Sequence, residues 1–464
     1  MKQIVHATAL ILTSPFLCAA AAQTQGPSSS ATPYLVPVGA GVQTVSILTV
    51  GDSIGGYPLV GIPDGMGARL ASSTEVEIVL NHELTSAAGA VHSHGQTGAF
   101  VSKWTLDRTT LAVTAGSDLI QNLNFVSGSA ALGRLCSGDM PNRKALFINV
   151  ANEPYVFLSG EEVGSEGRAF AHVVTGTEAG QSYELPYLGK FSWENCVARP
   201  FRNRRTVVAG LDDSTPGQVY FYIGDKQRTG NVAERAGLAN GHVFGVRVPG
   251  AALEDRTNIL NGATTFELAD LGNVSAKTGA QLQADSVAAG VTEFLRPEDG
   301  VWDPADPRVF YFVTTDRFNN ASQVGRSRLW RLTFLTAGMP ELGGTIEVLL
   351  DGTEGQQMMD NLTIDQRGHL LIQEDPGNQA YLARVLQYTI ATDTLSVVAE
   401  HDPARFVTGA AGFLTADEES SGIIDASALL GPGWFLLDVQ AHYALPSPLI
   451  EGGQMLALFN PDSL

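Results

Sequence analysis

The sequence predicts an all-β fold, a six-bladed β-propeller with loop insertions, and three observations carry that expectation. Fifty Gly and 22 Pro are scattered through short runs rich in Val, Leu, Phe and Tyr, the texture of many short strands separated by turns. Long helical periodicities are scarce. An apolar strand running into acidic or polar residues recurs six times, and repetition of this kind marks a radial or stacked architecture.

The six copies are Val76 to Glu83, Tyr155 to Glu162, Thr206 to Asp213, Val309 to Asp316, His369 to Asp375 and Trp434 to Asp438. In several copies a second strand precedes, beginning with polar residues and reaching a turn: Glu194 to Arg205, Glu298 to Pro304, Asp360 to Gly368 and Ser421 to Gly433. Each pair reads as a β-hairpin, whose antiparallel strands put the start of the first beside the end of the second. Glu194 is therefore expected near Asp213, Glu298 near Asp316, and Asp360 near Glu374 and Asp375. Six hairpins arranged radially make a propeller with these acidic ends around one mouth of a central channel. The spacing of the copies is uneven, which predicts insertions, with Ala251 to Val291 the foremost.

Lys2, the apolar run Ile4 to Leu17 and the small residues Ala19 to Ala22 have the order of a secretory signal, so residues 1–22 are expected to be removed. Residues 23–44 read as a leader that closes or straps the ring, and residues 45–464 as a single propeller domain. With the signal gone, no later segment is long and apolar enough to span a bilayer. The expected location is the periplasm or the extracellular medium, and the expected state a monomer. An excess of 48 Asp and Glu over 28 Lys and Arg excludes nucleic acid as a natural partner, because the chain repels polyanions. An anionic substrate then needs bound cations to invert the local sign. Cys136 and Cys196 remain after processing; in an exported protein they form one disulfide, or else one is a metal ligand or a buried thiol.

Crowded carboxylates repel each other and are tolerated chiefly where cations bind them. Carboxylates with Asn and backbone carbonyls are hard oxygen ligands suited to Ca²⁺, Mg²⁺ or Mn²⁺, and a thiolate shifts the preference toward a softer or more oxidised ion such as iron. Arg296 beside Glu298 favours catalysis over calcium storage, since a calcium site needs no neighbouring cation. His82 lies on a repeat end. His92 and His94 have the spacing of side chains on one face of a strand, and a solvated loop is the plainer reading. Arg202, Arg204 and Arg205 read as a solvated turn.

At Asn81-His82-Glu83, Cys136-Ser137-Gly138, Ser159-Gly160-Glu161-Glu162, Trp193-Glu194, Leu211-Asp212-Asp213, Arg296-Pro297-Glu298-Asp299-Gly300, Asp360-Asn361 and Gln373-Glu374-Asp375 the chain resembles the PhoX-type alkaline phosphatases. The likeness runs from about Gly61 to Ser421. It implies a metal-dependent enzyme that hydrolyses small phosphate monoesters at a calcium and ferric iron cluster. Carried over by position, Cys136, Glu162, Glu194 and Glu298 resemble the iron ligands, and Asp213, Glu161, Asn361 and Glu374 calcium or supporting ligands. Arg296 and Glu298 resemble catalytic residues, with Arg296 and Arg134 on phosphate. Two departures stand out: Arg134 where the family has a lysine before the cysteine, and Asp139-Met140-Pro141 after it. The competing readings are a calcium-only propeller hydrolase of phytase, phosphodiesterase or lactonase type, and a non-catalytic, calcium-stabilised binding propeller.

Overall fold

Each of the six apolar runs forms the second strand of its own blade, paired antiparallel with the strand before it. The structure is a computed structural model and describes residues 22–254, 262–316 and 326–464; most of the expected signal segment, and part of the expected insertion, lie outside the described residues. Blade 1 consists of Pro63–Leu70, Glu75–His82, Phe100–Asp107 and Val113–Asp118, in that order from the axis outward. Blade 2 begins with Leu135–Asp139 and Val156–Glu161, blade 3 with Trp193–Ala198 and Arg205–Asp212, and blade 4 with Pro297–Trp302 and Val309–Thr314. Blade 5 begins with Met359–Ile364 and His369–Glu374, and blade 6 with Glu418–Asp425 and Trp434–Ala444.

The first strand of every blade contacts the first strand of the next, and blade 6 returns to blade 1, so these strands ring a central channel. The six-bladed propeller expected from the repeats is the observed fold. Six apolar cores lie between adjacent blades, one per interface. Between blades 3 and 4, for example, Phe221, Trp302, Phe310 and Phe334 pack edge to face or stacked. Burial of both sheet faces explains why the second strands read as continuous apolar runs rather than as alternating ones.

The first and last strands of the described residues meet in blade 6. Gln43–Thr49 pairs antiparallel with the C-terminal strand Glu451–Phe459, Ala22–Gln25 adds a parallel edge strand, and Leu35–Pro37 pairs with Thr394–His401 of blade 5. Within the span expected as an insertion, Thr264–Gly272 is the outer strand of blade 3 and also pairs with Gly344–Leu350 of blade 4. The helix Gly279–Ala288 follows it, held at its start by a capping box between Thr278 and Gln281. Among the described residues no helix is long and apolar enough to cross a membrane. Cys136 and Cys196 are both buried and free, which corrects the disulfide reading: Cys136 faces the channel and Cys196 packs in the core between blades 2 and 3.

Candidate metal centre

Blade 6 opens with Glu418 and Glu419 ahead of its break in strand pairing, and in the other five blades the second residue of the first strand is a metal-ligating type: Asp64, Cys136, Glu194, Glu298 and Asp360. In each of these blades the strand pairing slips just there, between Pro63 and Met66, Leu135 and Gly138, Trp193 and Cys196, Pro297 and Gly300, and Met359 and Leu362. A bulge breaks the two-residue alternation and re-aims a side chain, here at one mouth of the channel. Blade 6 slips between Ser421 and Ile424, which puts Gly422 in the equivalent place. No side chain fits there: a Cβ on Gly422 would stand 2.5 Å from both Asp438 Oδ2 and the Asp64 carbonyl oxygen.

A second set comes from the residue that follows the second strand. Glu83, Glu162, Asp213, Thr315 and Asp375 each donate their backbone N–H to the residue preceding the first strand of the same blade, at 2.8–3.1 Å. The hairpin is thereby closed one step beyond its regular ladder, and those side chains are held over the mouth. Three overlapping groups result, each with its ligand atoms within 4.8 Å of one another: Asp64, Glu83 and Cys136; Cys136, Glu162 and Glu194; and Glu194, Glu298 and Asp360. Cys136 Sγ lies 3.2 Å from Asp64 Oδ2 and 3.1 Å from Glu194 Oε2.

Two arginines, one opening blade 2 and one opening blade 4, hold carboxylates of this centre. Arg296 bonds Asp213 through Nε and Nη2 at 2.7 and 2.9 Å and reaches Glu298 Oε1 at 3.1 Å. Arg134 Nη2 forms an ion pair with Glu83 Oε1 at 2.6 Å, and Arg134 hydrogen-bonds Glu162 through Nε and Nη2. Each immediately precedes the first strand of its blade, and each has positive φ, 38° for Arg134 and 56° for Arg296. Left-handed backbone is strained for a residue with a Cβ, and strain of this kind concentrates at functional sites.

Beneath the ring lies a polar layer. Ser137 Oγ donates to Glu194 Oε1 at 2.8 Å, the Asn361 amide donates to Ser137 Oγ, and Ser421 Oγ lies 2.8 Å from both Asn361 Oδ1 and Asp64 Oδ1. Asn361 thus supports the ring from below. Thr315 donates to Glu298 Oε1 at 2.5 Å. The partner expected for Glu298 was Asp316, but Asp316 accepts the Arg326 N–H and Thr315 fills the position over the mouth.

Burial pushes the carboxyls of Asp64, Glu162, Glu194, Glu298 and Asp360 upward, and neighbouring carboxylates push further. Asp64 and Glu162 each rise to about 8, the first by burial and Glu83, the second by burial and Glu83 against the pull of Arg134. Glu194 and Asp360 are raised well above the carboxylate range by burial and then by Glu298 and Glu194 respectively, and Glu298 by burial despite Arg296. The Cys136 thiol is raised by burial and by Asp64. Without a cation the ring therefore holds protons at neutral pH, and a bound cation displaces them.

Of the positions expected from the sequence, the structure brings Cys136, Glu162, Glu194 and Glu298 into the ring, with Asp213, Arg134 and Arg296 at its rim. It does not bring in Glu161, which is paired with Arg168 at 2.6 and 2.8 Å and accepts the Gly133 N–H. Nor does it bring in Glu374, which is taken by Arg384, Tyr381 and the Gln357 N–H. Asp64 and Asp360 belong to the ring and were not among the expected ligands. Glu83 is a third such residue. His82 is buried behind it, stacked on Phe100 and 2.8 Å from Ser102, so it faces the blade core rather than the mouth.

No curated protein matches the chain. The alkaline phosphatase PhoX family model matches residues 177–420, more than half of the sequence. The chain belongs to the PhoX family of alkaline phosphatases. It is accordingly a phosphatase, and the matched span holds Glu194, Asp213, Arg296, Glu298 and Asp360. The fold is shared with Pseudomonas fluorescens PhoX, solved in complex with vanadate, a transition state analogue: the TM-score is 0.65 at 12% identity, covering 92% of this chain and 98% of that one. Asp64, Glu83, Arg134, Cys136 and Glu162 lie before the matched span and join this PhoX-family centre through the ring geometry alone.

Proposed function

We propose that this chain is an exported phosphatase that hydrolyses small phosphate monoesters at a mixed calcium and iron cluster held by the ring. The observation that carries the reading is a ring of buried carboxylates that includes one thiol and is flanked by two arginines. The donor set fits the metals: many carboxylate oxygens suit a hard cation such as Ca²⁺, and the Cys136 thiol between Asp64 and Glu194 suits Fe³⁺ better than it suits calcium. Asp64, Cys136, Glu162, Glu194, Glu298 and Asp360 would hold the ions, with Asp213 at the rim and Asn361 orienting from below.

The ions would supply charge neutralisation for phosphoryl oxygens and a water of lowered pKa. The protein's own part is positioning. Arg296, steadied by Asp213 and next to Glu298, supplies a guanidinium whose donors suit a phosphoryl oxygen. Arg134, at the start of blade 2, would add a second cationic group at the rim. In the overall reaction a water oxygen bonds to phosphorus, the P–O bond to the leaving group breaks, and the departing oxygen leaves as an alcohol carrying a proton from that water.

The segment from Lys2 to Ala22 supports export, and an acidic chain handling an anionic substrate supports the need for cations at the site. The test is hydrolysis of p-nitrophenyl phosphate by protein whose metals have been quantified by elemental mass spectrometry. Glu298→Gln is expected to abolish turnover and to leave the fold intact. An active wild type containing calcium without iron would overturn the iron part of the reading and favour a calcium-only hydrolase. A wild type inactive on every monoester would overturn the activity.

A further inference from the structure

Two adjoining cavities open on the face opposite the metal centre. The first strands of blades 2 and 3 run away from the ring, so the segments 140–155 and 199–204 that follow them lie on that far face. The segment 226–241 follows Gly217–Asp225, which also runs away from the ring, and lies there too. The cavities measure about 570 and 640 Å³ and share Arg202 as a wall. Arg143, Lys144, Arg202, Arg204, Lys226 and Arg228 line them, and among the described residues no carboxylate does.

This is unusual for a chain of net charge −20, in which acids outnumber bases 48 to 28. The nearest carboxylates do not neutralise the group. Asp225 stands 3.8 Å from Arg204 with both side chains exposed, and Glu153 is bound by Arg235 at 3.0 Å. Lys226 is buried, and its Nζ donates to the carbonyl oxygens of Lys144 and Asn203, at 3.0 and 2.9 Å, which ties the three segments together. Burial and the adjacent Arg199 and Arg202 lower its pKa to about 8, as expected where cations crowd without counter-charge. The floor is partly apolar, with Arg143 4.9 Å over the Tyr155 ring and Phe201 beside it.

We propose that these cavities bind a phosphate-bearing ligand, separately from the metal centre and on the opposite face. Arginine forks around a concave, partly desolvated floor are the chemistry that recognises phosphate groups. Such groups reach this face from two sources, a free polyphosphorylated solute or the headgroups of an anionic membrane. In the second case the metal centre points away from the bilayer.

The test uses the full chain and its Arg202→Glu, Arg204→Glu double variant, two exposed positions whose loss leaves hydrolysis of p-nitrophenyl phosphate unchanged. Wild type is expected to cosediment with phosphatidylglycerol vesicles, and not with phosphatidylcholine vesicles, or else to bind inorganic tripolyphosphate at a site beyond the metal centre. The double variant is expected to weaken whichever binding occurs by about tenfold or more, with the salt dependence of released counterions. Vesicle binding identifies the headgroup source, and tripolyphosphate binding without vesicle binding identifies the free solute. Equal binding of either probe by wild type and variant, or binding of neither by wild type, overturns the proposal.

Discussion

Cys136 and Glu194 come from adjacent blades, and the thiol sulfur nevertheless stands 3.1 Å from the Glu194 carboxylate. Each is the second residue of its first strand, each follows the same break in strand pairing, and each is buried. A thiol in that place is the one soft donor in an oxygen ring, so its removal is expected to change which metal binds. Cys136→Ser should lose iron and retain calcium on elemental analysis, with phosphatase activity falling together with iron. Iron content unchanged from wild type would rule out ligation by this sulfur.

Arg296 grips Asp213 with two bonds and also reaches Glu298. A lysine cannot reproduce that fork. Arg296→Lys is therefore expected to lower kcat/KM on p-nitrophenyl phosphate by about 10²-fold, the size seen when one positioned donor to a developing anion is lost. Retention of the metals, checked by elemental analysis, would separate loss of phosphate positioning from loss of the cluster.

The pH dependence of stability should reverse on chelation. In metal-free protein the folded-state pKa of Asp64 and of Glu162 is about 8, raised above the unfolded carboxylate value by burial and Glu83. A raised folded pKa means the folded state binds more protons than the unfolded one between about pH 4 and pH 8. That stabilisation is complete below the unfolded pKa and is lost as pH rises through the folded one. Melting temperatures measured in EDTA are thus expected to fall across this window. With metals bound, the same carboxylates are neutralised by cations, and the fall should vanish or invert.

Gly422 carries a prediction about the missing member of the ring. Its φ is +58°, and an added Cβ would sit 2.5 Å from Asp438 Oδ2 and from the Asp64 carbonyl. Gly422→Ala must either push the Asp438 carboxylate aside or shift the strand that carries Asp64. A destabilisation of about 2 kcal/mol or more is expected from the strained conformation together with the clash. Denaturant melts of the metal-free protein measure it without interference from the cluster.

The strands of this fold were legible because burial on both faces leaves long apolar runs, and all six second strands fall where those runs stand. The ring was only half legible. Asp64 sits in Pro63-Asp64-Gly65, with no apolar pattern around it, and the bulge that aims it interrupts the alternation by which a strand face is read. Glu374 and Asp375 show the complementary difficulty. A pair of adjacent acids at a strand end contains one residue per face, and one step of register decides which enters the channel. The backbone N–H contact from Asp375 to the Met358 carbonyl fixes that register, and it is a long-range bond that no local pattern announces. Glu298 and Glu194 were legible because the strands they open begin abruptly with acid.

Glu161 and Glu162 put the same register question to experiment. Glu162 stands in the ring with Cys136 and Glu194, and Glu161 points the other way into a buried pair with Arg168. Glu162→Gln is expected to lower metal content and activity and to leave the metal-free stability at neutral pH nearly unchanged, since the carboxyl it replaces already holds a proton there. Glu161→Gln leaves the Arg168 guanidinium, whose side chain is 7% exposed, without its paired charge and with the Ser127 and Ser129 carbonyl oxygens as remaining acceptors. Removing one member of a buried pair costs about 3–5 kcal/mol, so this variant should unfold early in denaturant. At temperatures where it remains folded, it should keep its metals and most of its kcat. The two variants differ by one residue in sequence, and a swapped result, with Glu161→Gln losing metal and Glu162→Gln losing stability, would reverse the register assigned to this strand.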